Sequence, residues 1–350
     1  LPLAGPANKQ ARIAADNICG RPSRFSGVQG TSVLKLFDLT AASTGLNEAA
    51  ARAAGITFDK VVTFSANHAS YYPGSSNMTV KVLFAPDTGR LLGAQIVGAE
   101  GADKRIDVLA TAIRGGLTGA DLTELELAYA PPYSSAKDPV NMAGYVIENL
   151  LTGTVRQYHW DQVDALPRDG SVTLLDTRTD AEYAAGHIEG AVHIPLDSLR
   201  RRLSELDPAK PLYVNCQSGL RSYTACRILS QNGFDCYNFS GGWRWYSLTH
   251  PVAAASSART ALSAATSRAA TAFMRSCSGR KLWTPRLHTP AGCRWIRKKP
   301  EYKSCGAGAR LGGRALSPAR GICARSVVKF IPQPQRACNF APKTARAGGR

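Results

Sequence analysis

The first half of the chain alternates strand-like apolar segments with turns and then changes to helical spacing. The strand-like segments are residues 31–37, 60–66, Met78–Phe84 and Leu91–Val97. The last two flank Pro86-Asp87-Thr88-Gly89, which predicts a hairpin. Apolar residues then recur at helical spacing over about 102–115 and 139–151. Antiparallel strands with helices on one side predict an α+β layer for this half.

In the second half, a loop joins a short apolar run to a helical segment. The run Leu212-Tyr213-Val214 predicts a buried strand, and Tyr223–Gln231 has helical spacing that Asn232-Gly233 ends. Cys216 therefore stands at the carboxyl end of a strand and faces the N-terminus of the next helix. Loop amides and the helix dipole favour an anion there, so we expect the thiol to ionise more readily than a free one. Such a thiolate is suited to nucleophilic attack.

The length of this loop restricts its chemistry. Four residues separate Cys216 from Arg221, whereas phosphatases that form a cysteinyl-phosphate have five in the corresponding loop. The shorter loop, which curves around the thiol, suits one additional sulfur atom on Cys216. That species is a persulfide, whose charge the loop amides can stabilise. The predicted persulfide loop comprises Gln217, Ser218, Gly219, Leu220 and Ser222.

The segments on either side of the loop extend this pattern. They are Leu174-Leu175-Asp176-Thr177-Arg178, Glu182-Tyr183, Gly186-His187-Ile188-Glu189-Gly190-Ala191-Val192-His193-Ile194-Pro195 and Asn238-Phe239-Ser240-Gly241-Gly242-Trp243. Together with the Cys-x4-Arg loop, they resemble the three ordered signatures of rhodanese-type sulfurtransferases. Either Trp243 or Trp245-Tyr246 matches the aromatic position of the last signature. The resemblance implies an α/β domain with a parallel sheet flanked by helices.

This resemblance also implies roles for individual residues. Cys216 is expected to carry the sulfur, and Arg221 to hold an anionic donor, although Arg221 could instead cap a surface helix. Asp176 and Arg178 are expected to form a structural ion pair that braces the loop, with direct catalysis as the alternative.

Simpler interpretations of the cysteines and histidines stay open. Cys216 could be a buried core cysteine. Cys226 lies about 7.5 Å along the helix from Arg221, too far for a resolving thiol, and is expected on a packed helix face. His187 and His193 are expected to satisfy turn backbone. No Cys-x-x-Cys or Cys-x-x-His spacing occurs, so no metal site is predicted.

The first half resembles a second family. Residues 3–18 (LAGPANKQARIAADNI), a predicted helix opened by Gly5-Pro6, are similar to the end of the flavin-binding region of pyridine nucleotide-disulfide reductases. The remainder is similar to their C-terminal dimerisation domain. Tyr71-Tyr72-Pro73-Gly74 and the segment YAPPYSSAKDPVN from Tyr129 narrow the resemblance to coenzyme A-disulfide reductases and related NADH oxidases. Some of these carry a C-terminal rhodanese domain.

This second resemblance implies cofactors and a partner. It implies that FAD and NAD(P)H are cofactors of the complete protein and that a homodimer forms through residues 21–153. The dimerisation domain offers tyrosines to the active site and coenzyme A site of the partner subunit. The matching positions are Tyr71 or Tyr72, with Tyr129 or Tyr133, unless these tyrosines serve packing only. The positions that match a flavin contact are Pro6, Ala7 and Asn8.

Other features indicate that the reductase is incomplete. The sequence has no Gly-x-Gly-x-x-Gly, and Cys19 does not match the family's redox cysteine. The chain begins Leu-Pro-Leu rather than with Met. We therefore expect a C-terminal fragment that lacks the FAD and NAD domains and binds no cofactor by itself.

Charge divides the chain near residue 250. Residues 1–250 carry 23 Lys+Arg against 24 Asp+Glu, whereas residues 251–350 carry 20 against Glu301 alone. Ala, Arg, Ser and Gly dominate this tail, so we expect it to be disordered or the product of a shifted reading frame. A basic tail can bind phosphates, but aromatic residues are sparse and no nucleic-acid motif occurs, so a nucleic-acid partner is not predicted.

Four segments follow from these patterns: a remnant of the FAD-binding domain (1–20), a dimerisation domain (21–153), a rhodanese domain (157–249) and a basic low-complexity tail (251–350). No run of 18 apolar residues and no signal peptide is present, so no membrane association is expected. The cysteines of the first 250 residues fit a reducing compartment, which predicts a cytoplasmic location.

The predicted function is transfer of sulfane sulfur through a Cys216 persulfide. The transfer would belong to a FAD-dependent, NAD(P)H-linked reductase of coenzyme A-disulfide, persulfide or polysulfide. Expected substrates are thiosulfate, polysulfide or a coenzyme A persulfide. Two alternatives stay open: a non-catalytic rhodanese module for sulfur sensing or docking, and a dimerisation piece of a split or truncated reductase.

Overall fold

The computed structural model of the protein describes residues 3–250. The tail predicted to be disordered, residues 251–350, lies outside them. Successive parts of the described chain form two five-stranded sheets. Within this described part, no helix is long and apolar enough to cross a membrane.

The first sheet is antiparallel. Its part of the chain contains α1 (Ala4–Ile18), β1 (Ser32–Leu36), β2 (Leu39–Gly45), α2 (Glu48–Ala53), β3 (Asp59–Ala66), β4 (Asn77–Phe84), β5 (Leu91–Gly98), α3 (Ala102–Gly115), α4 (Asp121–Glu124) and α5 (Pro139–Leu151). The strand order is β1-β2-β5-β4-β3. The predicted hairpin is confirmed, because β4 pairs with β5 in antiparallel register from Thr79 opposite Val97 to Phe84 opposite Leu91. The two predicted helices are confirmed as α3 and α5.

The sequence pattern does not predict β2. Its sequence, Leu-Thr-Ala-Ala-Ser-Thr-Gly, is small and polar and lacks strand-like alternation. Ala41 and Ala42 are nevertheless buried, because α3 packs across β2 and β5. Small side chains let the helix approach the sheet, so packing rather than local propensity fixes this strand.

The residues around Asp138 explain why α5 begins where it does. The Asp138 carboxylate accepts a hydrogen bond from the Val140 backbone, and the Asn141 side chain accepts one from the Asp138 backbone. Pro139 occupies the first helical position, where its missing N–H costs nothing. The apolar face of α5, including Ile147, then packs with α3 in one buried cluster against the sheet.

The second sheet is parallel throughout. Its part of the chain contains β6 (Gln157–Tyr158), a 3₁₀ turn (Val163–Ala165), β7 (Thr173–Asp176), α6 (Asp180–Ala184), β8 (Val192–His193), α7 (Leu196–Leu199), a second 3₁₀ turn (Leu203–Glu205), β9 (Leu212–Asn215), α8 (Leu220–Gln231), β10 (Cys236–Phe239) and α9 (Gly242–Thr249). The strand order is β6-β10-β9-β7-β8, with every pair parallel. The predicted fold class, an α+β domain followed by an α/β domain, is confirmed.

Polar contacts join the edge strand β3 to the start of the second sheet. Lys60 Nζ lies 3.2 Å from Asp161 Oδ2 and 2.9 Å from Glu48 Oε2. Glu48 also pairs with Lys81. Burial opposes ionisation of Glu48, but the two ammonium groups outweigh burial and lower its pKa to about 2. Because the pKa of Glu48 is below its ordinary value of 4.5, its ionised form contributes fully to stability above about pH 4.5, and this contribution declines as pH falls toward about 2.

Candidate active site around Cys216

Cys216 lies at the carboxyl end of a central strand. β9 lies between β10 and β7, and Cys216 is the first residue after it. Gly219, the N-cap of α8, has a left-handed backbone with φ 99°. A β-carbon at Gly219 would lie 3.2 Å from the Phe239 carbonyl oxygen, which leaves little room for a side chain. Glycine thus permits the tight turn that brings the helix N-terminus to the thiol.

Two hydrogen-bond donors contact the sulfur. The Gly219 backbone N–H donates to Cys216 Sγ at 3.1 Å, and the Ser222 hydroxyl lies 3.2 Å from the same atom. Cys216 is fully buried. Ser222 Oγ also lies 2.6 Å from Asn238 Oδ1, a neighbour to which sequence analysis assigns no role. Donors at a helix N-terminus favour negative charge on the sulfur.

The Gly241-Gly242 pair holds the loop from its carbonyl side. The Trp243 and Arg244 backbone amides donate to the carbonyl oxygens of Cys216 and Gln217 at 2.8 and 2.9 Å. Gly242 has φ 56°, and a β-carbon there would lie 2.4 Å from the Cys216 carbonyl oxygen. Only glycine allows this approach. These two carbonyl oxygens therefore have partners outside the loop, and within the loop the Gly219 amide donates to the sulfur.

Asp176 and Arg178 form a fully buried ion pair beside the loop. Arg178 Nη2 lies 2.7 Å from Asp176 Oδ2 and donates to the Gly186 carbonyl at 2.7 Å. The Asn215 amide donates to the same carboxylate oxygen at 3.2 Å. Asn215 directly precedes Cys216, so the pair is connected to the strand end that carries the thiol. This geometry supports a bracing role.

Arg221 has a partner that sequence analysis does not assign. Its guanidinium forms a bidentate pair with Glu182 at 2.8 and 2.7 Å, and both side chains are about one-third exposed. The Arg221 hydrogen bond lowers the pKa of Glu182 to about 2. The only sequence signal for this role is the position of Glu182 in the first signature. Arg221 is therefore held by a carboxylate, at the first turn of α8.

The histidines of the first signature contact backbone oxygens. A ring nitrogen of His187 lies 3.1 Å from the Tyr183 carbonyl, and one of His193 lies 2.9 Å from the Arg178 carbonyl. Both rings stack on Tyr183. Within residues 3–250, no group of three or more His, Cys, Asp or Glu side chains could hold a metal ion.

The four candidate tyrosines are exposed on the first domain. The hydroxyl groups of Tyr71 and Tyr129 lie 3.2 Å apart, whereas Tyr72 packs edge-on against His68. Beneath them, buried Arg105 donates to the Asn67 and Tyr133 carbonyl oxygens at 2.9 and 3.3 Å. Arg105 also pairs with Asp138 at 2.9 Å.

Arg105 thereby connects the two loops that carry the tyrosines. Sequence reasoning missed Arg105, because nothing in its helical context indicates that it reaches two loops.

The candidate flavin contact lies on an exposed helix. α1 has no buried residue. An open groove of ≈ 970 Å³ beside it is lined by Pro6 but not by Ala7 or Asn8. The Asn8 amide donates to the Ala4 carbonyl of its own helix at 3.0 Å. The described residues provide no enclosed cradle around this trio and do not fit a flavin by themselves.

A cavity of ≈ 300 Å³ lies between the two domains. Residues of β3 and α5 line one side, and Ser218, Gly219 and Leu220 of the loop after Cys216 line the other. Lys137 is the one charged side chain in the wall, with Asn238 among the polar ones. The volume is at the lower end for small-molecule sites.

Two family models match the chain. The pyridine nucleotide-disulphide oxidoreductase dimerisation domain matches residues 31–139, and the rhodanese-like domain matches residues 159–249. The first match covers the antiparallel sheet, and the second covers most of the parallel one.

Parts of this chain are also similar to parts of curated proteins. Coenzyme A disulfide reductase of Staphylococcus epidermidis is 43% identical over 146 residues, which are 41% of this chain and 33% of that protein. The enzyme of the same name from Staphylococcus haemolyticus is 42% identical over 151 residues, 43% of this chain and 34% of that protein. The chain therefore spans about a third of the length of these relatives.

Two solved structures match over both domains. Reduced CoADR-RHD of Bacillus anthracis is 46% identical with a TM-score of 0.69, over 71% of this chain and 44% of that one. A NAD-dependent persulfide reductase from A. fulgidus is 39% identical with a TM-score of 0.62, over 69% of this chain and 43% of that one. These matches confirm the resemblance to a coenzyme A-disulfide reductase that carries a rhodanese domain.

Proposed function

Because this chain joins a dimerisation domain of pyridine nucleotide-disulphide oxidoreductases to a rhodanese-like domain, we propose that it transfers sulfane sulfur through a persulfide on Cys216. The observation that carries the proposal is the pair of contacts from Gly219 N and Ser222 Oγ to Cys216 Sγ at the start of α8. These two contacts place hydrogen-bond donors against the sulfur atom that would act as the nucleophile.

The transfer has two displacement steps. The Cys216 thiolate attacks the outer sulfur of thiosulfate, a new sulfur–sulfur bond forms, and sulfite leaves with the electron pair of the broken bond. The product is a Cys216 persulfide, whose terminal charge the loop amides stabilise. The thiolate of an acceptor then attacks the terminal sulfur, forms its own persulfide and regenerates the Cys216 thiolate. Polysulfide and coenzyme A persulfide are the other donors that this chemistry accommodates.

The direct test is to locate the transferred sulfur. After incubation with thiosulfate, mass spectrometry of the full chain should find the mass of one additional sulfur atom on the peptide that contains Cys216. Sulfite should be released in equal amount. Sulfite release without sulfur on Cys216 would exclude this nucleophile.

The burial of Cys216 favours a second candidate function. A thiol with no exposed surface can hold a persulfide for longer than an open one, which suits sulfur sensing or docking. The two functions differ in turnover. A persulfide that forms and is then discharged by thiols over many cycles supports the transferase, and a persulfide that persists in excess thiol supports the sensor.

We further propose that the complete protein is a FAD-dependent, NAD(P)H-linked reductase of coenzyme A-disulfide or persulfide. The names of the similar proteins support this assignment, as does the matched dimerisation domain, through which a homodimer would form. Tyr71 and Tyr129 are the members of the two tyrosine pairs that meet each other, so we assign them to the partner subunit's active site.

The 350-residue chain should carry no flavin when purified, since residues 3–250 form no cradle for it. The absorbance spectrum of the purified chain checks this expectation, with and without added FAD followed by desalting. A flavin band that survives desalting would contradict it.

Arg221→Lys should raise the KM for thiosulfate about tenfold, because lysine offers one point charge in place of a planar fork. A lysine at position 221 reaches the donor with a single ammonium group, so it fixes the orientation of the bound anion less well than the guanidinium does. Sulfite release at varied thiosulfate concentration measures the effect.

Glu182→Gln is the matched variant, because glutamine keeps the capping box of α6 while it removes the charge. Arg221 then has no anionic partner, and the KM for the thiosulfate dianion should fall by a factor of about two to five.

Glu182 titrates at about 2, below its ordinary value, so the Arg221 pair is complete above about pH 4.5. Changes in rate between pH 5 and 9 should therefore not report Glu182. An equal rise in KM for both variants would contradict the assigned role of Arg221.

A further inference from the structure

Ser222 lies between the thiol and a second polar group. Its hydroxyl oxygen is 3.2 Å from Cys216 Sγ and 2.6 Å from Asn238 Oδ1. Ser222 and Cys216 are fully buried, and Asn238 is only 9% exposed. The three side chains therefore depend on one another for hydrogen bonds.

A serine hydroxyl has one proton to share between these two neighbours. When Cys216 is a thiol, its S–H can donate to Ser222, and Ser222 can donate to the Asn238 carbonyl oxygen. When Cys216 is a thiolate, the sulfur only accepts, so Ser222 must donate to it. The Asn238 carbonyl oxygen then faces the lone pairs of Ser222 at 2.6 Å, which is repulsive. Half a rotation of the amide removes the conflict, because the amide nitrogen then donates to Ser222.

We propose that Asn238 is a positioning residue that sets the protonation of Cys216 through Ser222. With its carbonyl oxygen toward Ser222, Asn238 stabilises the thiol; with its nitrogen toward Ser222, it stabilises the thiolate. When the Cys216 thiol ionises, its proton goes to water and not to Asn238, which only reorients. The proposal rests on the proposed function only in taking Cys216 as the nucleophile.

The surroundings of Asn238 permit this rotation. Its backbone is fixed in β10, where it pairs with Gln157 on one side and Val214 on the other. The side chain also lines the cavity between the domains. Water in a polar part of that cavity can meet the amide atom that Ser222 does not use. Neither orientation then buries an unpaired group.

Other titratable groups near the thiol stay unchanged in the test. Six of them lie on elements packed around the loop: Asp176, Arg178, Glu182, Arg221, Tyr158 and Cys226. Lys137 and Tyr223 lie in the wall of the cavity that Asn238 also lines. Because none is substituted, a change in the behaviour of Cys216 reports Asn238.

The experiment compares Asn238→Asp with Asn238→Leu in the full chain. Aspartate has nearly the same shape but only accepts hydrogen bonds, so it holds the Ser222 proton away from the sulfur. Leucine competes for no proton. The readout is the pH dependence of alkylation of Cys216 by iodoacetamide, followed on its peptide by mass spectrometry. This readout does not require sulfur transfer, so it separates failure of the inference from failure of the proposed function.

We expect the alkylation midpoint of Asn238→Asp to move to higher pH by about one unit, a tenfold lower rate at neutral pH. The midpoint of Asn238→Leu should move by less than about a third of that shift. A merely structural role for Asn238 predicts the reverse order, because leucine is the less similar side chain. Asn238→Ala provides a smaller apolar variant if the leucine variant does not fold.

Ser222→Ala separates the effect transmitted through the Ser222 hydroxyl from the effect of the added charge of aspartate. In that background the hydroxyl is absent, and Asn238→Asp should shift the midpoint by less than half as much as in the parent chain. Ser222→Thr keeps a hydroxyl and should restore the full shift. An equal shift in the presence and absence of the hydroxyl would overturn the inference, as would equal shifts for aspartate and leucine.

Discussion

Cys216→Ser is expected to lower the rate of sulfur transfer from thiosulfate to a thiol acceptor by roughly three orders of magnitude or more. The serine hydroxyl is not ionised near neutral pH, and an oxygen cannot form the persulfide on which both steps depend. The loop itself should stay folded. Gly219 N–H can donate to oxygen as to sulfur, and the Trp243 amide still holds the residue 216 carbonyl. Sulfite release and the persulfide on the peptide should be lost together.

Two of the other thiols of residues 3–250 serve as controls. Cys19 is exposed and Cys226 is buried. The hydrogen bond with Cys236 and burial raise the pKa of Cys226, which keeps that thiol protonated. Cys19→Ser and Cys226→Ala should therefore retain sulfur transfer within about twofold, as substitutions outside a catalytic site normally do. If Cys216→Ser keeps its activity and Cys19→Ser loses it, transfer occurs at the exposed thiol and the proposed site is wrong.

The strand–loop–helix arrangement around Cys216 could be predicted because its information is local. Cys216, Gly219 and Arg221 lie within six consecutive residues, and the strand before them and the helix after them each have their own pattern. The glycines at 241 and 242 were recognisable as a signature. Their physical role, a close approach to the Cys216 carbonyl, depends on how the folded chain brings distant segments together.

The partners of the loop could not be predicted, since they come from distant parts of the chain. Arg221 and Glu182 are 39 residues apart, and Ser222 and Asn238 are 16 apart. Local periodicity contains no information about which polar residues meet across a parallel sheet. The strand β2 was missed for a related reason, because α3 stabilises it through packing rather than through its own sequence.

Arg178→Met is expected to lower the free energy of unfolding by about 3–5 kcal/mol, because it leaves the Asp176 carboxylate charged, buried and without its cation. Asp176 has no exposed surface. Its remaining donors are the backbone amide of residue 178 at 3.0 Å and the Asn215 amide at 3.2 Å. Neither carries a positive charge, so the carboxylate must take up a proton or draw water into the core. Urea unfolding followed by circular dichroism measures the loss.

The double variant Asp176→Asn, Arg178→Met tests whether the uncompensated charge is the cause. Asparagine keeps an oxygen for the residue 178 amide and adds no charge, so the double variant should recover at least about 1–2 kcal/mol relative to Arg178→Met alone. It should not recover fully, since the bonds from Arg178 to the Gly186 and Glu182 carbonyl oxygens are also gone. Equal urea midpoints for the single and double variants would show that these carbonyl contacts and packing, rather than charge compensation, make Arg178 necessary.

In either variant, loosening of Asn215 should displace Cys216 from its donors. Sulfur transfer should therefore fall with stability, although neither substituted side chain contacts the sulfur.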